Sequence, residues 1–112
     1  MYYFVRIPKL PSNLSHQSGS VEVNKYALAE GCRVEKGQTI AVVENWWARM
    51  ELKSVGSGYI RKTFFEPHAC VLEGDPIAIV VCDPEDAPRT EATCELKVIE
   101  SIRQKPAQQG SN

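Results

Sequence analysis

Glu44, Arg49 and Glu51 fall within eight residues of one another. Paired carboxylates beside an arginine are one way to build a general acid and base. The same residues also make an ordinary surface charge cluster, and their spacing does not select catalysis. Ser54, Ser57 and Cys70 are candidate nucleophiles, yet none sits in a recognisable elbow or at an informative distance from a base. His16, His68 and the thiols of Cys32, Cys70, Cys82 and Cys94 supply metal-ligand types. They lack the closely spaced pairs that zinc sites use, so small thiols and a solvated histidine are the expected reading. A glycine-rich phosphate loop is missing. The chemistry-bearing residues therefore predict neither an enzyme nor a metal site. What stands out is the pair Trp46-Trp47, flanked by Asn45, Ala48 and Arg49.

The elements that must position this pair are strands. Thr39 to Glu44 and Arg49 to Ser54 carry β-branched and apolar residues, and a tight turn between them puts the two indoles at the tip of a hairpin. Val5 to Pro8, Ser20 to Leu28, Gly58 to Phe65 and Pro76 to Val81 read the same way. Tyr2-Tyr3-Phe4 reads as an aromatic edge strand that caps the barrel. No stretch before Cys82 has a helical period.

An internal repeat relates these strands. Aligning Gly37 with Gly74, an offset of 37 residues, places Val34 on Val71, Ile40 on Ile77, Ala41 on Ala78, Val42 on Ile79 and Val43 on Val80. Val23 falls on Ile60 and Lys25 on Lys62. Two units with one apolar pattern are expected to pack face to face, since neither buries its face alone. Glu35-Lys36-Gly37-Gln38 and Leu72-Glu73-Gly74-Asp75 become equivalent turns, each using its glycine where a positive φ is needed. The expected class is all-β, a flattened barrel or sandwich.

After Cys82 the composition shifts. Asp83 to Arg89 is polar and proline-rich. Leu96, Ile99 and Ile102 have roughly helical spacing, which predicts a short helix within Glu91 to Gln104. The alternation Cys94-Glu95-Leu96-Lys97-Val98 allows a strand instead. Gln108 to Asn112 is expected to be disordered.

The chain has 112 residues, an apolar fraction of 43% and a net charge of -1. That bounds it to one domain able to bury its own core. Acids and bases are interspersed, so neither nucleic acid nor a membrane is expected as a partner. The N-terminus lacks a signal-peptide pattern, and four cysteines without CxxC spacing suit free thiols. A cytoplasmic location is expected.

Several short motifs in order resemble the lipoyl/biotinyl carrier domain family over Phe4 to about Asp83. Val5-Arg6-Ile7-Pro8-Lys9-Leu10 is similar to its opening strand, and Ser18-Gly19-Ser20-Val21 to the entry of its second. Ala29-Glu30-Gly31-Cys32-Arg33-Val34-Glu35-Lys36-Gly37-Gln38 resembles its first glycine turn. Ile40 to Glu44 and Met50 to Ser54 resemble the strands around the carrier lysine. Val55 to Ile60 and Val71 to Ile77 resemble its return strand and second turn. The resemblance implies two four-stranded antiparallel sheets related by a quasi-twofold over residues 1–83, followed by a linker and tail over 84–112. It also implies that the hairpin tip lies at the opposite end from the chain termini.

In that family the tip lysine carries lipoyl or biotin. Here Trp47 takes its position, inside Trp46-Trp47-Ala48. An indole has no amine to acylate, so the resemblance implies no attached cofactor. The expected function is a degenerate, non-catalytic interaction module using Asn45, Trp46, Trp47, Ala48 and Arg49 to meet a protein partner or a second copy. The alternative is a carrier in an acyl-transfer or carboxylase system, modified at a lysine such as Lys53. The two indoles could fold back on the barrel, protrude toward a partner, or be covered in part by the C-terminal segment. Adjacent strand residues point to opposite faces, which disfavours burying both on one side.

Overall fold

The computed structural model describes residues 1–14, 19–88 and 94–102. His16 and the segment from Gln108 to Asn112 lie outside them. The nine strands are β1 (Tyr2–Arg6), β2 (Ser20–Tyr26), β3 (Arg33–Val34), β4 (Thr39–Glu44), β5 (Ala48–Lys53), β6 (Gly58–Thr63), β7 (Cys70–Leu72), β8 (Pro76–Val81) and β9 (Glu95–Ser101). Two short 3-10 turns, at Ser12–Leu14 and Pro84–Asp86, complete the described elements. Every strand pair is antiparallel. One sheet has the order β1-β8-β6-β3 and the other β7-β2-β4-β5-β9.

The first eight strands form the expected two four-stranded sheets. Their orders superpose when β1, β8, β6 and β3 are matched with β5, β4, β2 and β7. The backbone repeats the match bond for bond. Gln38 N–H donates to the Glu35 carbonyl at 2.9 Å, and Asp75 N–H to that of Leu72 at 3.0 Å. Gly37 and Gly74 have φ of +87° and +88°, the left-handed region in which a side chain is strained. Register shifts fall between Val23 and Lys25 on β2 and between Ile60 and Lys62 on β6, one repeat apart. At the counterpart of Gly31 the repeat has His68, whose φ of +77° stands alone among the described non-glycine residues.

The repeat exists because the inward residues must meet. Val5, Val23, Val34, Ile40, Val43, Met50, Leu52, Ile60, Val71, Ile77 and Val80 are buried between the sheets. Strand alternation sends every second side chain there, and apolar area withdrawn from water, at roughly 25 cal/mol per Å², holds the two layers together.

The C-terminal segment departs from expectation. Residues 95–101 form a strand, not a helix, and pair along β5 from Lys53↔Glu95 to Ala48↔Ser101. Beside an available sheet edge, extended backbone satisfies its polar groups on a neighbour, whereas a helix this short is marginal alone. Leu96 packs against the core, and Cys94 at the start of the strand is buried. The second sheet thus gains a fifth strand over the fold that the resemblance implies.

Candidate functional site

The hairpin tip is built by β4 and β5. Glu44 pairs with Arg49, and Asn45 N–H donates to the Ala48 carbonyl at 3.1 Å, leaving Trp46 and Trp47 as the two corner residues. The turn is fastened by Asn45, whose side-chain Oδ1 accepts from Trp47 N–H at 2.8 Å and from Ala48 N–H at 3.0 Å. Asparagine closes turns this way without a glycine. Neither tryptophan has a positive φ. Asn45 therefore clamps the backbone of the turn that carries both indoles.

The two indoles differ. Trp46 is 55% exposed, whereas Trp47 is half-buried and packs against the core. Ala48 is fully buried. Arg49 lies between two carboxylates, with Glu100 at 2.7 Å and Glu44 at 3.4 Å. Beside Trp46 runs a shallow groove of about 320 Å³, bordered by Glu22, Glu44, Asn45 and Cys70.

The strand β9 ends at this tip. Ser101 pairs with Ala48, and Ile102 N–H donates to the Trp47 carbonyl at 2.8 Å. The described C-terminal residues thus lie beside the hairpin, against the expectation that the termini sit at the other end. The quasi-twofold counterpart of the tip is the place where Cys82 N–H donates to the Met1 carbonyl at 2.9 Å. The hairpin is that junction closed by a turn. Glu100 and Ile102 were not legible as tip residues, because only the weak alternation from Cys94 to Val98 signals the strand that carries them.

The other candidates do not converge. Glu44 and Glu51 take different cations, Glu44 meeting Arg49 and Glu51 meeting Lys53 at 3.5 Å. Ser54 is buried and hydrogen-bonds the Gly56 carbonyl. Ser57 Oγ accepts from Lys36 N–H at 3.1 Å on a different loop. Cys70 is exposed at the edge strand β7. His68 Nδ1 lies 3.2 Å from Glu22. Among the described residues no three His, Cys, Asp or Glu side chains gather to hold a metal ion. Burial pushes the Cys94 thiol up to about 12, removing it as a nucleophile near neutral pH. No described helix is long and apolar enough to cross a membrane.

Lys53, the alternative attachment residue, sits on β5 between β4 and β9, opposite Thr39 and Glu95. Its ammonium reaches Thr39 Oγ1 at 3.4 Å and Glu51 at 3.5 Å. It is half-buried on a strand rather than presented on a turn.

The family model described as "Biotin-requiring enzyme" matches residues 11–80, most of the barrel. The chain belongs to the biotinyl/lipoyl domain family. Carrier domains of this family are not catalytic themselves, and the all-β architecture with two antiparallel sheets is consistent with theirs. Neither a curated protein nor a solved structure matches the chain.

Proposed function

We propose that this biotinyl/lipoyl-family domain is a degenerate carrier that holds no lipoyl or biotinyl group and acts as a non-catalytic protein-interaction module through its hairpin tip. One observation carries the reading: the two corner residues of the β4–β5 turn are tryptophans, with Trp46 directed into solvent. Acylation needs an amine on the turn, and the indole of Trp47 supplies none. An exposed indole on a rigid turn instead offers a large apolar contact at small conformational cost, and tryptophan is enriched at binding hot spots. Lys53 as a carrier lysine is disfavoured by its place inside the sheet and by its partners Thr39 and Glu51.

The test is gain of function. Incubated with lipoyl and biotinyl ligases, the unaltered chain stays at its unmodified mass. Trp46→Asp with Trp47→Lys, or Trp46→Met with Trp47→Lys, acquires the lipoyl or biotinyl group, because the preformed turn then presents an amine. Modification of the unaltered chain would overturn the reading. The interaction role has its own readout: Trp46→Ala weakens association with a partner or a second copy while leaving the unfolding midpoint nearly unchanged.

A further inference from the structure

The outward face of the β1-β8-β6-β3 sheet carries a contiguous aromatic surface remote in sequence from the tip. In one ladder Tyr2 pairs with Val81, Val81 with Tyr59 and Tyr59 with Arg33. In the next, Phe4 pairs with Ile79 and Ile79 with Lys62. Tyr2, Tyr59, Phe64 and Val81 are all exposed. Contiguous apolar patches of this kind on a soluble domain mark interaction sites.

The cations on this face are organised by the rings. The Arg6 guanidinium lies 5.3 Å from the Phe4 centroid, that of Arg33 lies 5.4 Å from Tyr59, and the Lys62 ammonium lies 5.9 Å from Phe64. Phe4 and Phe64 stack at 6.3 Å. Arg61, the extra residue of the β6 bulge, borders with Tyr59 and Val81 a shallow groove of about 520 Å³. Among the described residues Glu30 and Glu35 approach this face, and Glu35 takes up one of its cations, Arg33. Glu35 binds Arg33 at 2.7 Å, and Glu30, which also lines the groove, accepts from Thr63 N–H at 2.9 Å.

From this arrangement we infer that the outer face of the β1-β8-β6-β3 sheet is a second docking surface, and that its occupant is an acidic protein segment interleaving carboxylates with aliphatic side chains. Charge complementarity selects the occupant. A guanidinium laid on an aromatic ring is held in place and can meet a carboxylate at little further ordering cost. The aliphatic side chains cover the Tyr2, Val81 and Tyr59 row. A second copy presenting the same face would set cation against cation. Single-stranded nucleic acid needs open ring faces for its bases, but Phe4, Tyr59 and Phe64 already hold cations. This surface is independent of the tip, so either assignment can fail without the other.

The test uses the full chain labelled with nitrogen-15 and three probes: a short synthetic peptide alternating glutamate with leucine, the same peptide with glutamine for glutamate, and a short oligothymidine. The expected result is amide shifts on β1, β6 and β8 with the acidic peptide, and binding weaker by about tenfold with the glutamine peptide. Arg61→Glu with Lys62→Glu weakens the acidic peptide by at least about tenfold, while Lys25→Glu, a charge reversal at the counterpart of Lys62 on the other sheet, leaves it unchanged. Both altered residues are exposed, so an intact amide spectrum verifies the fold, and Tyr2→Ala provides a second variant with the same expected direction. The inference is overturned if the acidic peptide gives no shift at millimolar concentration or shifts only the other sheet. Tighter binding of oligothymidine, or self-association through this face without peptide binding, would overturn it equally.

Discussion

The ladder Tyr2–Val81–Tyr59–Arg33 on one sheet and the ladder Arg49–Glu44–Glu22–Cys70 on the other occupy quasi-twofold related positions. The first is aromatic and cationic. The second is polar, with Glu44 and Glu100 sharing Arg49 and Glu22 beside His68. Facing inward, most matched positions carry like apolar residues, among them Ile40 with Ile77 and Val43 with Val80. The repeat is thus retained where both copies share one core and has diverged where each meets solvent. Symmetry here is a packing constraint, and function is free to differ between the faces and between the tip and its counterpart at Met1 and Cys82.

The largest effects test the shared core. Ile40 and Ile77 are both buried at matched positions, so each truncated to Ala should cost about 2–5 kcal/mol in urea unfolding. Costs differing by more than about 2 kcal/mol would break the equivalence of the halves. A second comparison uses glycines. A Cβ on Gly58 would lie 2.5 Å from the Val81 carbonyl oxygen at φ of +147°, whereas one on Gly37 meets nothing within 4 Å. Gly58→Ala should therefore cost about 3 kcal/mol and Gly37→Ala about 1 kcal/mol. Val21, the counterpart of Gly58, is a buried side chain, so the close approach belongs to one half alone.

Alkaline titration gives a smaller, signed effect. Burial raises the Cys94 thiol and the Tyr3 phenol each to about 12. The folded chain then holds protons that the unfolded chain has lost. Stability is whole below the ordinary thiol value and falls as pH climbs from about 9 toward 12, by at most about 1.4 kcal/mol per pH unit for each group. Unfolding at stepped pH measures it, and Cys94→Ala should flatten the curve. Smallest is His68→Gly. It relieves a strained backbone where the other copy already has Gly31, and should raise stability by about 0.5–1 kcal/mol.

Much of this was legible in the chain. The offset between Gly37 and Gly74 carried the two halves, both glycine turns and the inward residues, because a shared core forces the same pattern twice. The strands β3 and β7 escaped, being two and three residues long, too short for a period. The strand β9 was ambiguous for a different reason. Its side chains are mostly exposed, so pairing to the β5 edge, not burial, fixes it, and an edge leaves little mark on composition. At the site, the tip and its two tryptophans were readable from the strand pattern. The clamp at Asn45 and the arrival of Glu100 and Ile102 were not, because they depend on a hydrogen bond to a side chain and on a distant strand.

Loss of the carrier group is read directly from the intact mass of this protein isolated from its native host, with peptide mapping of every lysine. The expected result is the unmodified mass and an unaltered Lys53. A lipoyl or biotinyl adduct on Lys53 or any other lysine would contradict it, and would return the domain to carrier chemistry from a site other than its tip.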